Sequence, residues 1–324
     1  MEDVARAAGV SMVTVSRALN VPEKVAPVTL AAVRAAIERL RYVPNLTAGS
    51  LASNRSRIVA AIVPTIANSI FSETIDGVAR ALAPHRYQLL LGQTQYRPLA
   101  EAELVEAFLG RRVDGLILTG VKHARGVRTR LQQAAIPVVE TWDLTSRPID
   151  MVVGFSNHAA GQAAARYLAE KGYRSLGFIG GQDDRSVTRL EGFRAGARAS
   201  GIDDVAVVSM SSPSSLADGA SALRKLLTLA RTPRAVFCTN DTLAAGALFE
   251  CQRRRIPVPG RMAVMGFADL PIAAGIEPAL TSVQVRSTQM GQRAGEMLLE
   301  RLAGSDELAR IVDLGFAVVE RASA

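Results

Sequence analysis

The feature that most constrains the fold of this chain is a regular alternation of strand-like and helical segments, which begins at Ile58. The first run, residues 58–63, is apolar throughout, as is typical of parallel strands buried on both faces. Similar runs form two series, the first at Tyr87–Leu91, Gly115–Leu118, Ile136–Glu140 and Met151–Val153 and the second at Ser175–Ile179, Val205–Ser209, Ala235–Cys238 and Met262–Met265. Because alternating strands and helices form parallel sheets covered by helices, the two series predict two doubly wound α/β lobes with a cleft between them.

The positive charge of the chain is concentrated at its N-terminus. The 324 residues carry a formal net charge of +8, and residues 1–57 contain eight Lys or Arg against four acidic residues. This short segment therefore holds half of the net charge, which indicates an N-terminal module that binds a polyanion. The length suggests two or three domains, and a content of 48% hydrophobic and 21% charged residues suits a packed α/β protein.

Several function classes lack their motifs in this sequence. Cys238 and Cys251 stand in apolar surroundings with no CxxC pair, and the three histidines are scattered, so we expect reduced core thiols and no metal site. There is no phosphate loop, nucleophile elbow or HExxH motif, so we expect no catalytic site and no cofactor. There is also no secretory signal and no apolar run of membrane-spanning length, which predicts a cytoplasmic protein with no membrane partner.

The first twenty residues have the pattern of a helix-turn-helix. Residues 3–8 can form a short helix, Gly9 permits a tight turn because glycine reaches positive φ at low cost, and Ser11 can cap a second helix. That helix would present small, polar and basic side chains, and a helix fits the major groove of DNA, where base edges carry a distinguishable pattern of donors and acceptors. The predicted DNA-contacting residues here are Ser11, Met12, Val13, Thr14, Ser16 and Arg17.

A third helix is predicted from Pro27 to about Tyr42, because the residue before Pro44 avoids the α region. Its apolar stripe should pack against the first two helices and consists of Leu30, Val33, Ile37 and Leu40. Residues 46–53 can form a further short helix, and residues 54–57 have the polar character of a linker.

These segments and others further along the chain resemble the LacI/GalR family of bacterial transcription regulators over essentially the full length. The motifs that carry the resemblance are Asp3-Val4-Ala5, Ala8-Gly9-Val10-Ser11, Thr14-Val15-Ser16-Arg17, Tyr42-Val43-Pro44-Asn45, Val113-Asp114-Gly115-Leu116-Ile117, Asn240-Asp241, Gly266-Phe267 and residues 277–283. The resemblance is greatest to the gluconate-utilisation repressors, through Val153-Gly154-Phe155, Phe237-Cys238-Thr239-Asn240-Asp241, Phe249-Glu250-Cys251-Gln252 and Asp313-Leu314-Gly315-Phe316. Ala26 departs from the family, which usually has a serine there to cap the third helix.

The resemblance implies a division of the chain into three parts. They are a helix-turn-helix DNA-binding headpiece at residues 1–44, a hinge helix and linker at 45–57, and an effector-binding and dimerisation core at 58–324. The core would comprise an N-lobe of about residues 58–156 and 286–315 and a C-lobe of about residues 157–285 and 316–324. In this arrangement, an effector in the cleft changes how the lobes sit and thereby loosens or orders the hinge helix.

The hinge implied by the resemblance adds two residues to the DNA-binding set. Leu51 matches the family residue that wedges into the minor groove and kinks the duplex, and Asn45 opens the same segment. The expected macromolecular partner is therefore double-stranded operator DNA. The chain shows no leucine-heptad tail after Phe316, so we expect a homodimer in preference to a tetramer.

The resemblance also implies an effector site in the cleft. The predicted effector-binding residues are Asn68, Phe71, Asp143, Phe155, Arg189, Asn240 and Asp269, with Phe155 as an apolar floor and Phe71 and Trp142 at the rim. Ala268 stands where many sugar-binding members have an acid, and the lower negative charge suits an anionic ligand. We therefore predict a sugar acid such as gluconate, with its carboxylate on Arg189 and with Lys122 and Arg185 as alternative partners.

Two other interpretations stay open on the residues alone. A cytosolic α/β protein could bind a sugar acid without any role on DNA, as a solute-binding protein does, or could act on it as an enzyme. The missing signal peptide and the basic N-terminal segment count against a transporter's solute-binding protein. The missing phosphate loop and acid–base motif count against an enzyme.

We expect Arg17→Ala to weaken operator binding by about 1–3 kcal/mol and to relax the preference at one base pair of each half-site, because a guanidinium can donate two bonds to guanine. The measurement is operator selection followed by binding titrations on selected and random duplexes. An equal loss on both kinds of duplex would mean that Arg17 contacts only phosphate.

Overall fold

The computed structural model describes residues 1–43, 55–67, 69–305 and 309–324. The chain divides into two compact units, Met1–Ser56 and Arg57–Ala324, each with its own core. Most of the predicted hinge, including Asn45 and Leu51, lies outside the described residues, as does Asn68.

The first unit contains three helices, α1 (Glu2–Ala8), α2 (Met12–Asn20) and α3 (Pro27–Leu40), as the periodicity predicts. Gly9 ends α1 at φ 65°, a left-handed conformation that glycine adopts at little cost. The Ser11 side chain then caps α2 by accepting a hydrogen bond from the Thr14 amide. The buried core between the three helices consists of Val4, Ala5, Val15, Ala18, Val33 and Ala36.

The second unit contains two six-stranded sheets covered by helices, which confirms the prediction of two doubly wound lobes. The strands are β1 (Ile58–Val63), β2 (Gln88–Gln93), β3 (Gly115–Thr119), β4 (Val138–Thr141), β5 (Met151–Gly154), β6 (Leu176–Gly181), β7 (Val205–Met210), β8 (Ala235–Cys238), β9 (Ala263–Ala268), β10 (Thr281–Val285), β11 (Ile311–Asp313) and β12 (Phe316–Val319). The helices are α4 (Ser72–Leu82), α5 (Pro98–Gly110), α6 (Val127–Ala134), α7 (Asn157–Glu170), α8 (Asp184–Ala199), α9 (Leu216–Leu227), α10 (Asp241–Arg253), α11 (Pro271–Gly275) and α12 (Ser287–Leu302).

The strand order of the N-lobe sheet is β11-β5-β4-β3-β1-β2, and its pairs are parallel. The order in the C-lobe sheet is β12-β10-β9-β8-β6-β7. Among the described strand pairs of this sheet, only β10–β12 is antiparallel. The chain passes between the sheets three times, after β5, after β10 and after β11. Residues that follow strands of both sheets line one cavity, so the carboxyl ends of the two parallel sheets border a common cleft.

A buried histidine is held between two carboxylates in the N-lobe. His123 Nδ1 lies 2.7 Å from Glu101 Oε1 on α5, and Nε2 lies 3.0 Å from Glu140 Oε1 on β4. The remaining carboxylate oxygens accept backbone N–H groups of Ala124 and Ile149. Burial lowers the pKa of His123, but the hydrogen bonds and charges of the two glutamates outweigh it and raise the pKa to about 9. The ring is therefore a cation at neutral pH and joins the loop after β3 to α5 and β4.

We expect His123→Gln to lower the free energy of unfolding by up to about 3 kcal/mol, in a pH-dependent way. The folded pKa of about 9 exceeds the unfolded value of 6.5, so the stabilisation is complete below pH 6.5 and is lost as the pH rises through 9. Urea unfolding of both proteins across this range is the measurement. A constant difference between the two curves would contradict a charged histidine.

We expect Ala26→Ser to stabilise α3 by about 1 kcal/mol, because the helix has no side-chain cap and a serine oxygen can accept from its first amides. Hydrogen exchange of the full chain should show about fivefold slower exchange in α3. Val28→Ser is the control, since Val28 is exposed and lies inside the helix. Equal exchange rates in the wild type and Ala26→Ser would contradict the missing cap.

Candidate functional site

Helix α2 presents the predicted DNA-contacting side chains at the surface of the first unit. Met12 and Val13 are 54% and 66% exposed, and Arg17 is exposed as well. Thr14 and Ser16 are half-buried, and Ser11 is exposed but holds the cap, with its hydroxyl 2.9 Å from Thr14 Oγ1. The surface thus combines apolar groups that can meet thymine methyls with a guanidinium that can meet guanine or phosphate.

In the second unit, a cavity of about 460 Å³ opens where strands of both lobes end. The N-lobe contributes residues after β1 to β4, and the C-lobe contributes residues after β6 and β7. Polar side chains of this outer cavity include Thr94, Tyr96, Asp143, Gln182, Asp183 and Ser212. Polar groups that converge at the carboxyl ends of parallel strands are typical of a small-molecule site.

Arg185 reaches from α8 of the C-lobe into this outer cavity. Its side chain is 11% exposed, its Nη1 donates to the Thr119 carbonyl of the N-lobe at 3.4 Å, and its Nη2 lies 4.0 Å from Asp183 Oδ1. The guanidinium carbon lies 5.5 Å from the centroid of the Phe71 ring. The contacts with Thr119 and Asp183 are long for charge-assisted hydrogen bonds, which are usually about 2.7–2.9 Å, and Tyr96 is a further hydrogen-bond partner of the guanidinium. A carboxylate could therefore replace the two long contacts with shorter ones.

Asp183 and Lys122 complete the charges around Arg185. Burial raises the pKa of Asp183, but the neighbouring guanidinium groups of Arg185 and Arg189 and the hydrogen bonds from Ser186 hold it below its usual value. Lys122 of the N-lobe pairs with Asp184 of the C-lobe at 3.4 Å, and both side chains are largely exposed. An ionic contact therefore joins the lobes at this edge of the cleft.

Arg189 lies deeper and borders a second, inner cavity of about 20 Å³. Its guanidinium donates to the Asn157 side chain and to the Thr239 carbonyl and lies 4.3 Å from the Phe267 ring centroid. Burial lowers the pKa of Arg189 to about 10, against the opposing charge of Asp183, so the group stays charged at neutral pH. Within the described part of the chain, its Nε atom has no hydrogen-bond partner.

The aromatic residues predicted for the rim and floor form a buried row. The ring centroids of Phe71, Trp142, Phe155 and Phe267 follow each other at 5.0, 6.0 and 5.9 Å. Phe71 and Trp142 are 2% and 1% exposed, so both are walls of the inner cavity and not rim residues as the sequence predicts. Trp142 Nε1 donates to Thr74 Oγ1 at 3.1 Å, a fixed packing that keeps the Trp142 side chain from the surface. Phe155 borders neither cavity and supports Trp142 from behind.

The remaining predicted residues separate into two groups. Asp143 borders the outer cavity, and Asn240 borders the inner one, where it caps α10 through Leu243 N and donates to Ser214 Oγ. Asp269 borders neither cavity, because its carboxylate lies 2.7 Å from Arg321 Nη1 and accepts from Gln284 Nε2 at 2.8 Å. The structure therefore brings Phe71, Asp143, Arg189 and Asn240 to the cleft.

Tyr96, Asp183 and Ser212 border the cavities but are missing from the predicted set. Each follows a strand, respectively β2, β6 and β7, within three residues of its carboxyl end. The rule that parallel sheets bind ligands beyond these ends is the signal that points to all three.

The described part of the chain contains neither a candidate membrane-spanning helix nor a candidate metal site. None of its helices has the length and apolar content needed to cross a bilayer. No group of three or more His, Cys, Asp or Glu side chains there is placed to hold a metal ion.

Comparisons with known proteins agree with this architecture. Residues 1–45 match the model of bacterial regulatory proteins of the lacI family, and residues 165–324 match that of the periplasmic binding protein-like domain. The HTH-type transcriptional regulator GntR of Pseudomonas aeruginosa is 38% identical over 100% of this chain and 95% of its own.

Solved structures give the same result. The transcription regulator GntR from Chromobacterium violaceum is 37% identical, with a TM-score of 0.79 over 82% of this chain and 98% of that one. A LacI family transcriptional regulator from Silicibacter pomeroyi is 32% identical, with a TM-score of 0.92 over 99% of this chain and 98% of its own. Because these likenesses extend from the helix-turn-helix to the last strand, the chain belongs to the LacI family, a family of DNA-binding transcription regulators and not of enzymes.

Proposed function

We propose that this repressor acts as a homodimer on operator DNA and that its effector is a sugar acid such as gluconate, bound in the outer cavity. The motifs that resemble the gluconate-utilisation repressors support the ligand class, as do the relatives named GntR. On the DNA side, the helix-turn-helix supplies Ser11, Met12, Val13, Thr14, Ser16 and Arg17, and Asn45 and Leu51 supply the hinge contacts. One helix-turn-helix in each protomer calls for a near-palindromic operator, since protein symmetry is mirrored in the half-sites.

The position of Arg185 is the observation that carries the choice of a sugar acid. Its guanidinium borders both cavities and lies 3.4 Å from the Thr119 carbonyl and 4.0 Å from Asp183, whereas Arg189 is buried, borders only the inner cavity and donates to the Asn157 side chain. A carboxylate in the outer cavity would give Arg185 two short, charge-assisted hydrogen bonds. We therefore assign the carboxylate to Arg185, one of the alternatives that the sequence leaves open, and assign to Arg189 the support of the inner wall.

The polar groups around Arg185 suit the hydroxyls of the same ligand. Asp143 and Asp183 offer carboxylate acceptors, and Thr94, Tyr96 and Ser212 offer hydroxyl groups that donate or accept. Acceptors beside one strong cation match a molecule with a single acid group and several hydroxyls.

The contact of Arg185 with Thr119 links the ligand to the lobe arrangement. A bound carboxylate competes with the Thr119 carbonyl for the guanidinium, so the ligand alters a hydrogen bond that now joins the two lobes. A ligand shifts such an equilibrium by its difference in affinity for the two arrangements. A coupling of about 1–3 kcal/mol to operator affinity is the usual size of such an effect.

We expect gluconate to raise the melting temperature, to release the operator and to change the fluorescence of Trp142, the only tryptophan in the chain. Arg185→Gln should weaken gluconate binding by about 10–100-fold, because it removes a charged hydrogen-bond partner. Titration of both proteins, followed by Trp142 fluorescence and calorimetry, is the measurement. Arg194→Gln is the matched control, since Arg194 is an exposed arginine of the same helix α8 that borders neither cavity, and it should leave the affinity unchanged.

The ligand panel should include neutral sugars, nucleosides and phosphorylated acids. A response to neutral sugars or nucleosides with none to gluconate or related acids would overturn the effector assignment. Unchanged gluconate binding by Arg185→Gln would leave the ligand in place but remove Arg185 as its anchor.

A further inference from the structure

A strongly basic surface lies at the end of the C-lobe opposite the cleft. Residues 224–261 contain eight Lys or Arg against two acids, Asp241 and Glu250. All eight cations are exposed; they are Arg224, Lys225, Arg231, Arg234, Arg253, Arg254, Arg255 and Arg261, and together we call them the distal basic face. Asp241 is buried at the start of α10, so it does not offset their charge at the surface.

The fold brings these cations to one end of the lobe. Arg224 and Lys225 stand in the last turn of α9, Arg253 and Arg254 end α10, and the rest lie in the loops that lead into β8 and β9. Arg234 donates to the Gly260 carbonyl at 2.9 Å, which joins the two loops, and α9 packs against α10. The cleft lies at the carboxyl ends of these parallel strands, and the face lies at their amino ends.

The charge of the face is compensated only in part. Arg224, Arg253 and Arg254 pair with the single carboxylate of Glu250 at 3.0, 3.7 and 2.6 Å. In the part of the chain that the structure describes, Glu250 is the one acidic group paired to the distal basic face. A local excess of this size attracts polyanions and is screened by salt.

The chemistry of the face favours the phosphate backbone of a duplex. Seven of its eight cations are arginines, whose planar forks bind phosphate oxygens through two bonds. The segments 224–234 and 253–262 contain no aromatic residue on which unpaired bases could stack. Adjacent packed helices are about 8–10 Å apart and adjacent strands about 4.8 Å, so the face extends over a width comparable to several phosphates of one groove.

We propose that the distal basic face binds the backbone of a second segment of duplex DNA, without sequence preference, while the helix-turn-helix holds the operator. The interaction is electrostatic, so it serves to hold two DNA segments on one regulator. It does not depend on the identity of the effector, since the face lies away from the cavities.

The test captures a second duplex on protein already bound to DNA. Biotinylated operator, recovered by selection with the wild type, is immobilised, saturated with full-length protein and washed. A fluorescent duplex of random sequence is then added at about 50 mM and about 200 mM salt. The variant is Arg231→Glu/Arg255→Glu/Arg261→Glu, which changes loop residues only. The matched control, Arg166→Glu/Arg194→Glu/Arg198→Glu, reverses the same number of exposed charges on α7 and α8.

Wild type and control should capture the second duplex at the lower salt and release it at the higher salt. The loop variant should bind the operator as before but capture about tenfold less of the second duplex. The loop variant keeps its helix-turn-helix. If that unit, and not the distal basic face, captured the second duplex, the loop variant would capture as much of it as the wild type does. Melting curves check folding, and the corresponding Arg→Gln triple variant repeats the test with a milder change.

Three results would overturn the proposal. They are equal capture by the loop variant and the control, no capture by the wild type at the lower salt, and displacement by polyglutamate at a lower charge concentration than by duplex DNA. The last result would assign the face to an acidic protein.

Discussion

The buried guanidinium of Arg189 is the interaction on which the cleft depends. A charge taken out of water must be paired or hydrogen-bonded, and here Asn157, the Thr239 carbonyl and the face of Phe267 supply the partners. Asn157 also donates to the Trp142 carbonyl at 2.8 Å. One hydrogen-bonded chain therefore runs from α8 of the C-lobe through the crossing after β5 to the aromatic row of the N-lobe.

The same anchor aims the residues that border the outer cavity. Arg185 lies four residues before Arg189 on α8, so both project from one face of the helix. Asp183 caps that helix through Ser186 and stands at the same end. Because Arg189 is held at the back of the cleft, Arg185 and Asp183 lie at its opening. The guanidinium of Arg185 is thereby fixed in position at the outer cavity.

Close helix packing in the C-lobe holds α8 against α7. A Cβ on Gly161 would collide with the Arg189 carbonyl, and one on Gly192 would collide with the His158 carbonyl. The two helices therefore approach backbone to backbone, and only glycine fits at these points. This contact involves the backbone of Arg189, so the close packing of α7 and α8 fixes the position from which the charged residues of the cleft project.

The local signals in the sequence determined the helix-turn-helix, the two α/β series and most strand positions, because periodicity, a Ser11 cap and a Gly9 turn act within a few residues. The same signals did not predict strands β10, β11 and β12, since all three pair with other segments of the chain and β11 and β12 are also short and partly exposed. Only the tertiary structure decided which polar residues face the cleft. Asp269 is paired to Arg321 and Gln284, Trp142 is held by Thr74, and Arg185 borders the outer cavity while Arg189 borders only the inner one. These orientations depend on contacts between side chains that are far apart in the sequence, and local sequence patterns do not predict such contacts.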